Sequence, residues 1–330
     1  MLKKLKWITM SILLLCLGIV GYYTYSFAQF AMTISKPKVD VTSNASQEPV
    51  VQKQKPPVYE LPEWEGTERV NILLLGGDGR EVEDAGRSDS MLLVSIEPVT
   101  KQVHLFSILR DTYVSIPGHG KNKINAALAF GGPELSMKAV SDLVGLPVHY
   151  YYYIDLDSFI KLVDAVGGVD LEVEKDMKYL DPTDKPEYQI NLKKGMQHLD
   201  GQKALQYVRF RKDAMSDFTR TERQRKFLGA VAEKLQSTST LITLPSMLKE
   251  MAPYIQTNMS PEKMLQLAVS LHKGTGSIQT AQLPPMELLR EEKIHGASVL
   301  TVNTSQLQKY VTGQLQETAT DQEEQKSGQQ

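Results

Sequence analysis

Apolar and polar positions along the chain fall into three kinds of segment. The first is a long uncharged run, residues 7–30, strongly apolar over 12–20 (ILLLCLGIV). The second is a set of short apolar runs bounded by glycine, proline or charge: 69–75 (RVNILLL), 90–96, 103–109, 169–173 and 277–283. These predict buried strands. The third has helical spacing, at 133–144, 157–166, 218–235, 244–255 and 261–272. Pro133 opens the first of these, Gly145 follows it, and Gly167-Gly168 stop the second, as helix punctuation requires. Residues 204–210 fit either a strand or a helix-to-strand junction. Strands and helices intermix, which predicts an α/β domain with a mixed central sheet and helices on both faces.

Charge orients the long apolar run. Lys3, Lys4 and Lys6 precede it, no acid occurs in the first 35 residues, and Tyr22, Tyr23, Tyr25 and Phe27 follow its most apolar part. About 20 such residues span a bilayer. A cleaved signal peptide has the same basic start but a shorter core and a small-residue cleavage site. Here the run is longer and Ala28 and Ala31 form no A-x-A, which favours a retained transmembrane helix over 7–30. The positive-inside bias then predicts a single-pass type II protein of the cell membrane, with residues 1–6 cytoplasmic and everything after the span extracellular. Residues 31–65, with Pro56-Pro57, read as an extended linker. A domain over 66–312 follows, and 313–330, rich in Gln, Glu, Thr and Ser, reads as a disordered tail.

Composition narrows the chemistry. Lys plus Arg number 37 against 39 Asp plus Glu, a net charge of −2, which gives no support to a nucleic-acid partner and confines any anion site to a local cluster. The single cysteine, Cys16, lies in the apolar run. That excludes an intrachain disulfide, a cysteine zinc site and a CxxC redox pair. Six histidines show no HxxxH spacing, and His104, His149 and His198 read as structural. GxSxG is absent as well, so nucleophilic catalysis has little support.

What remains is a set of strand ends. Gly76-Gly77-Asp78-Gly79 closes the 69–75 run without GxGxxG spacing or a following helix, so it is a glycine turn rather than a dinucleotide loop. Arg87 and Asp89 enter the next strand, on one side if extended, either as an ion pair or as part of a site. Asp78 and Asp89 flank one loop, where two carboxylates plus substrate phosphates suit Mg²⁺. Arg110 ends the third strand. Arg209 and Arg211 share a face if extended. On the following helix Arg220 and Gln224 lie above Phe227, Leu228 and Val231 on one stripe, and so point inward. Buried guanidinium groups need an anion. A protein carboxylate would serve, as would a pyrophosphate at the helix start.

In order along the chain, Arg87-Ser88-Asp89-Ser90, Leu109-Arg110-Asp111-Thr112-Tyr113-Val114 and Lys123-Ile124-Asn125-Ala126-Ala127 come first. Gly131-Gly132-Pro133-Glu134-Leu135, His198-Leu199-Asp200-Gly201, Tyr207-Val208-Arg209-Phe210-Arg211 and Asp217-Phe218-x-Arg220-x-x-Arg223-Gln224 follow. With the anchor and the Asp78 turn, this set resembles the LytR-CpsA-Psr family. The resemblance implies a membrane-anchored, Mg²⁺-dependent phosphotransferase of Gram-positive envelopes. It would move an anionic polymer, wall teichoic acid or capsular polysaccharide, from undecaprenyl pyrophosphate to peptidoglycan. By resemblance Asp78 and Asp89 hold Mg²⁺, and Arg87, Arg110, Arg209, Arg211, Arg220 and Gln224 grip the pyrophosphate. Asp89, Arg110 and Arg87 are then the catalytic group, and the prenyl chain fills an apolar groove under the sheet. An acidic insertion at 81–84 departs from the family pattern and weakens the assignment of Asp78. The rival reading is a membrane-tethered regulatory protein that binds polyprenyl pyrophosphate without turnover.

Overall fold

A computed structural model describes residues 2–35, 59, 61–77, 86–180, 188–212, 216–235, 238–271 and 278–327. Helix α1 spans Leu2–Ile34. Then come β1 (Val70–Gly77), β2 (Ser88–Ile96), β3 (Val103–Ile108), the hairpin β4 (Tyr113–Ile116) and β5 (Gly120–Lys123), α2 (Ala126–Val144), β6 (Tyr150–Asp155) and α3 (Leu156–Ala165). A smaller unit holds β7 (Val169–Val173), β8 (Met177–Tyr179), β9 (Ile190–Leu192), β10 (Gly195–Leu199), α4 (Gly201–Arg209) and α5 (Ser216–Leu235). The chain continues through α6 (Thr238–Met251), β11 (Gln256–Thr257), α7 (Pro261–Ser270), β12 (Ile278–Leu283), β13 (Arg290–Ile294), β14 (Ala297–Thr301) and α8 (Thr304–Ser327).

The central sheet has the order β11-β6-β1-β2-β3-β12. β1 is antiparallel to β2 and parallel to β6, and β3 is antiparallel to β2 and parallel to β12. This is the expected mixed sheet. Its two faces are both apolar, as continuous runs such as NILLL require when both sides are covered. Leu73, Leu75, Met91, Leu93 and Phe106 face α2 and α8. Ile72, Ile96, Val103 and Tyr150 face the other way, against Ala31, Ile34, Trp64, Met259 and Met264. A third cluster, including Val163, Val169, Leu205, Val208 and Phe227, holds the smaller unit together.

Three expectations are corrected. Residues 204–210 are not a strand: α4 is a helix, begun by the Asp200 carboxylate accepting from the Lys203 amide at 2.9 Å. The C-terminal stretch from 313 is not all disordered. α8 runs on, and Leu307, Val311 and Leu315 place a stripe of four-residue spacing in the core beside α2. The expected linker is also shorter at both ends, because α1 continues to Ile34 and Trp64 is already core; residues 36–58 of it lie outside the described residues. Among the described residues no helix is long and apolar enough to cross a membrane, and side chains of α1 are described from Leu17 onward. His104 and His149 are buried, and His149 Nδ1 accepts from the Asn71 amide at 3.0 Å.

Candidate pyrophosphate and lipid site

The sheet topology brings four strand ends to one rim. β1 ends at Gly77 beside the start of β2 at Ser88, and Asp155, the last residue of β6, lies opposite Gly77. The β2–β3 register pairs Leu92 with Ser107, so continuing it sets Arg110 across from Asp89. The two side chains meet: Arg110 Nη1 donates to Asp89 Oδ1. Arg211, just beyond α4, reaches the same oxygen at 3.4 Å. Asp89 is thus the carboxylate between two arginines, a role for which sequence reasoning had left open a protein anion or a ligand.

The segment after β5 fixes this rim from behind. The Ser88 amide donates to the Asn125 carbonyl at 3.4 Å, and the Asn125 amide to the Arg110 carbonyl at 3.3 Å. Lys123 Nζ holds Asp111 at 2.7 Å, and Asp111 lies 3.8 Å from Arg110 Nε. The smaller unit supplies the opposite wall. Arg220 and Gln224 of α5 are buried, 3% and 8% exposed, and Gln224 Oε1 accepts from the Ser90 hydroxyl at 3.1 Å. Arg209, at the end of α4, lies 5.2 Å over the Tyr188 ring and donates to the Tyr188 carbonyl. It does not share an extended face with Arg211, because it belongs to a helix. Arg223 faces away from this group: its Nε donates to Glu174 Oε1 at 2.6 Å and its Nη1 to the Phe210 carbonyl at 2.9 Å.

Rim and wall enclose a cavity of about 1220 Å³. Arg87, Asp89, Arg110, Arg209, Arg211, Arg220 and Gln224 all line it. Asp78 lies outside the described residues. Beyond the cationic mouth the lining turns apolar: Leu74, Leu92, Ile154, Phe159, Leu205, Val208, Phe227 and Leu228. Tyr152 also lines it, and burial pushes its hydroxyl up to about 12, so this ring is a neutral part of the floor. Lys123, Asn125, Tyr152 and Lys212 are lining residues that sequence reasoning had not assigned. Lys123 and Asn125 sat within a segment already singled out; Tyr152 sits in the YYYYID run that forms β6, where continuous aromatics carry no period.

Among the described residues no group of three or more His, Cys, Asp or Glu side chains is placed to hold a metal ion. Of the carboxylates at the mouth, Asp111 is paired with Lys123, and Asp155 caps α3 by accepting from the Ser158 amide at 2.7 Å. Asp89 is left as the carboxylate inside the cationic cluster. That donor set does not make an all-protein cage. It fits Mg²⁺ bound through one or two carboxylates with phosphate oxygens completing the shell.

The cavity thus joins a guanidinium-lined mouth to an apolar lining. The model of the LytR_cpsA_psr family matches residues 24–316. The chain belongs to that family. Within the LytR_cpsA_psr family it is 33% identical over 288 residues to a protein of Bacillus mycoides (strain KBAB4) named polyisoprenyl-teichoic acid--peptidoglycan teichoic acid transferase TagU, covering 86% of this chain and 88% of that one. It is 32% identical over 219 residues to Regulatory protein MsrR of Staphylococcus aureus (strain COL), covering 66% and 64% of the two chains. A solved LytR-CPS2A-psr family protein, YwtF (TagT) with bound octaprenyl pyrophosphate lipid, superposes with a TM-score of 0.58 at 26% identity. That alignment covers 82% of this chain and 98% of the other.

Proposed function

We propose that the protein is a membrane-anchored, Mg²⁺-dependent phosphotransferase. It moves an anionic cell-wall polymer, wall teichoic acid or capsular polysaccharide, from undecaprenyl pyrophosphate onto peptidoglycan. The observation that carries this reading is a cavity in which a cationic mouth opens into an apolar interior. The name of the Bacillus mycoides relative and the lipid bound to YwtF support the transferase class and the donor class.

Arg87, Arg110, Arg209, Arg211, Arg220 and Gln224 grip the pyrophosphate. Their forks neutralise charge that grows on the bridging oxygen as it leaves, which is the main source of catalysis in phosphoryl transfer. Asp89, with Asp78, would hold Mg²⁺, which would supply further charge neutralisation at the phosphate oxygens when bound. On binding, Arg110 and Arg211 exchange Asp89 for phosphate oxygens, and Asp89 keeps its own charge for the metal. An acceptor hydroxyl oxygen bonds to the polymer-side phosphorus. The bond from that phosphorus to the bridging oxygen breaks, prenyl phosphate departs, and the hydroxyl proton passes to water. The apolar lining holds the prenyl chain and keeps the donor phosphates in register with the mouth.

Lys3, Lys4 and Lys6 before the uncharged residues 7–30 support α1 as a retained span, with the N-terminus in the cytoplasm and the domain outside the cell. Protease added to protoplasts should then degrade the chain beyond α1. The activity is tested with purified full-length protein, a polyprenyl-pyrophosphate glycan and peptidoglycan fragments. Release of prenyl monophosphate with joined glycan, abolished by chelator and restored by Mg²⁺, is expected. Tight binding without release would favour the regulatory reading that the name of the Staphylococcus aureus relative suggests.

A further inference from the structure

The relation of α1 to the rest of the fold is set at two levels. At its C-terminal end Ala31 and Ile34 are 0% and 1% exposed in the core cluster with Trp64, Ile72 and Met259, and the Ser35 hydroxyl donates to the Met259 carbonyl at 2.7 Å. Three turns earlier the Tyr23 hydroxyl donates to the Ile242 carbonyl at 3.3 Å, near the start of α6. The end of α6 leads into Ala252, which joins the cluster of Ala31 and Ile34. α6 therefore runs alongside α1 in the same direction, with its first turns at the level of Tyr23. Those turns are unusual for a surface helix. No charge occurs between 236 and 248, and Ile242 is 71% exposed. Beside it Tyr22 and Tyr25 of α1 are also exposed, a band of aromatics of the kind found at membrane–water boundaries.

The cavity leads to the same flank. Leu74, Tyr152 and Ile154 line it and also pack against the cluster that holds Ala31 and Ile34. Along α5 the polar lining, cationic Arg220 and neutral Gln224, comes first, and the apolar lining, Phe227 and Leu228, comes a turn later toward α6. The apolar end of the cavity is thus on the side of α1 and α6, and the cationic end is at the strand ends.

We infer that α6 is seated on the bilayer surface, with Ile242 among the lipid headgroups at the level of the Tyr22–Tyr25 band. The prenyl chain of the donor passes between bilayer and cavity along the α1–α6 flank. This deepens the function proposed above and rests on α1 being a membrane span. A chain that crossed open water would expose its whole apolar length; an uncharged helix lying in the interface beside the span removes that gap.

The test uses full-length protein in nanodiscs of phosphatidylglycerol and phosphatidylethanolamine. One bimane label is placed at the native Cys16, or at Ile242→Cys or Lys121→Cys in a Cys16→Ser background. Lys121 is exposed on β5, two residues before the cavity-lining Lys123. Doxyl-labelled lipid should quench the labels at 16 and 242 at least fivefold more than that at 121, and iodide should quench chiefly the label at 121. A label at 242 that behaves like the one at 121 while Cys16 is lipid-quenched overturns the seating of α6 alone. If Cys16 is also open to iodide, the anchor falls and this inference falls with it. In a second measurement Ile242→Asp should slow extraction of a long-chain prenyl pyrophosphate from vesicles about tenfold, while binding of a short water-soluble prenyl pyrophosphate is unchanged. Equal extraction by the variant overturns the lipid passage, and a matching loss with the short ligand assigns the effect to the cavity instead.

Discussion

Arg211 reaches Asp89 Oδ1 at 3.4 Å, the oxygen that Arg110 also holds. The carboxylate that could bind a cation is therefore the same one that two guanidinium groups share. All three side chains are partly exposed, at 33% for Asp89, 34% for Arg211 and 23% for Arg110. Such half-open pairs add about 0–1 kcal/mol to stability, so the fold depends little on them.

Arg211→Ala should accordingly leave the melting temperature almost unchanged. Affinity for a prenyl pyrophosphate should fall by about 2 kcal/mol, the low end of the cost of truncating a hydrogen-bonded charge partner, because Arg211 is about a third exposed. Arg211→Lys should recover little of it, because an ammonium lacks the planar two-pronged donor. Thermal melts and titration calorimetry on both variants check this. A large loss of stability with unchanged affinity would make the cluster a structural network.

Asp89→Asn keeps the shape and removes the charge. Turnover should drop roughly 10²-fold or more, as when one charge-stabilising group is lost at a transition state, and the residual rate should no longer respond to added Mg²⁺. The fold should melt within a few degrees of wild type. A variant with full activity in excess chelator would reduce Asp89 to an ion-pair partner of Arg110 and Arg211.

Arg223 behaves differently because its side chain is 3% exposed and it ties Glu174 to the Phe210 carbonyl. Arg223→Ala should cost about 2–3 kcal/mol in urea unfolding, less than a fully buried pair, because Glu174 is 37% open to water. Burial pushes the Glu174 carboxyl up, but its own backbone amide and Arg223 outweigh that and hold it below the ordinary value of 4.5. Because the folded value is the lower one, this contribution is complete above pH 4.5 and is lost as pH falls through the folded value. The acid limb of stability against pH should be flatter in Arg223→Ala than in wild type.

Two changes test the framework. A Cβ on Gly201 would land on the Ile160 carbonyl oxygen, so Gly201→Ala should force α4 off α3 at a cost of about 1–3 kcal/mol and shift Arg209 with it. A chain ending after Gln316 should melt like the full protein. One ending after Asn303 loses the buried Leu307, Val311 and Leu315 and should lose roughly 5 kcal/mol, at about 1.5–3 per buried aliphatic side chain.

Much of this protein is legible in its residue order. The first three strands follow from unbroken apolar runs, because a strand covered on both faces has no room for polar alternation. The inward aim of Arg220 and Gln224 follows from their sharing a stripe with Phe227, because helical periodicity is local. Clusters of arginine at strand and helix ends, together with the ordered motifs, point to an anionic ligand before any fold is known. Other features depend on contacts between distant parts of the chain. Ala204, Leu205 and Val208 suit a strand or a helix until Asp200 caps the turn and α3 and α5 cover it. Leu315 is too isolated in a polar tail to announce a core helix, and only the groove beside α2 gives it a place in line with Leu307 and Val311. That Arg110 and Arg211 meet on one oxygen of Asp89 depends on an antiparallel register at one end and the α4–α5 junction at the other, 122 residues apart. Local pattern determined which residues are apolar, capped or charged; tertiary packing decided which charges share one cavity, because convergence is a property of the assembled sheet and its covering helices.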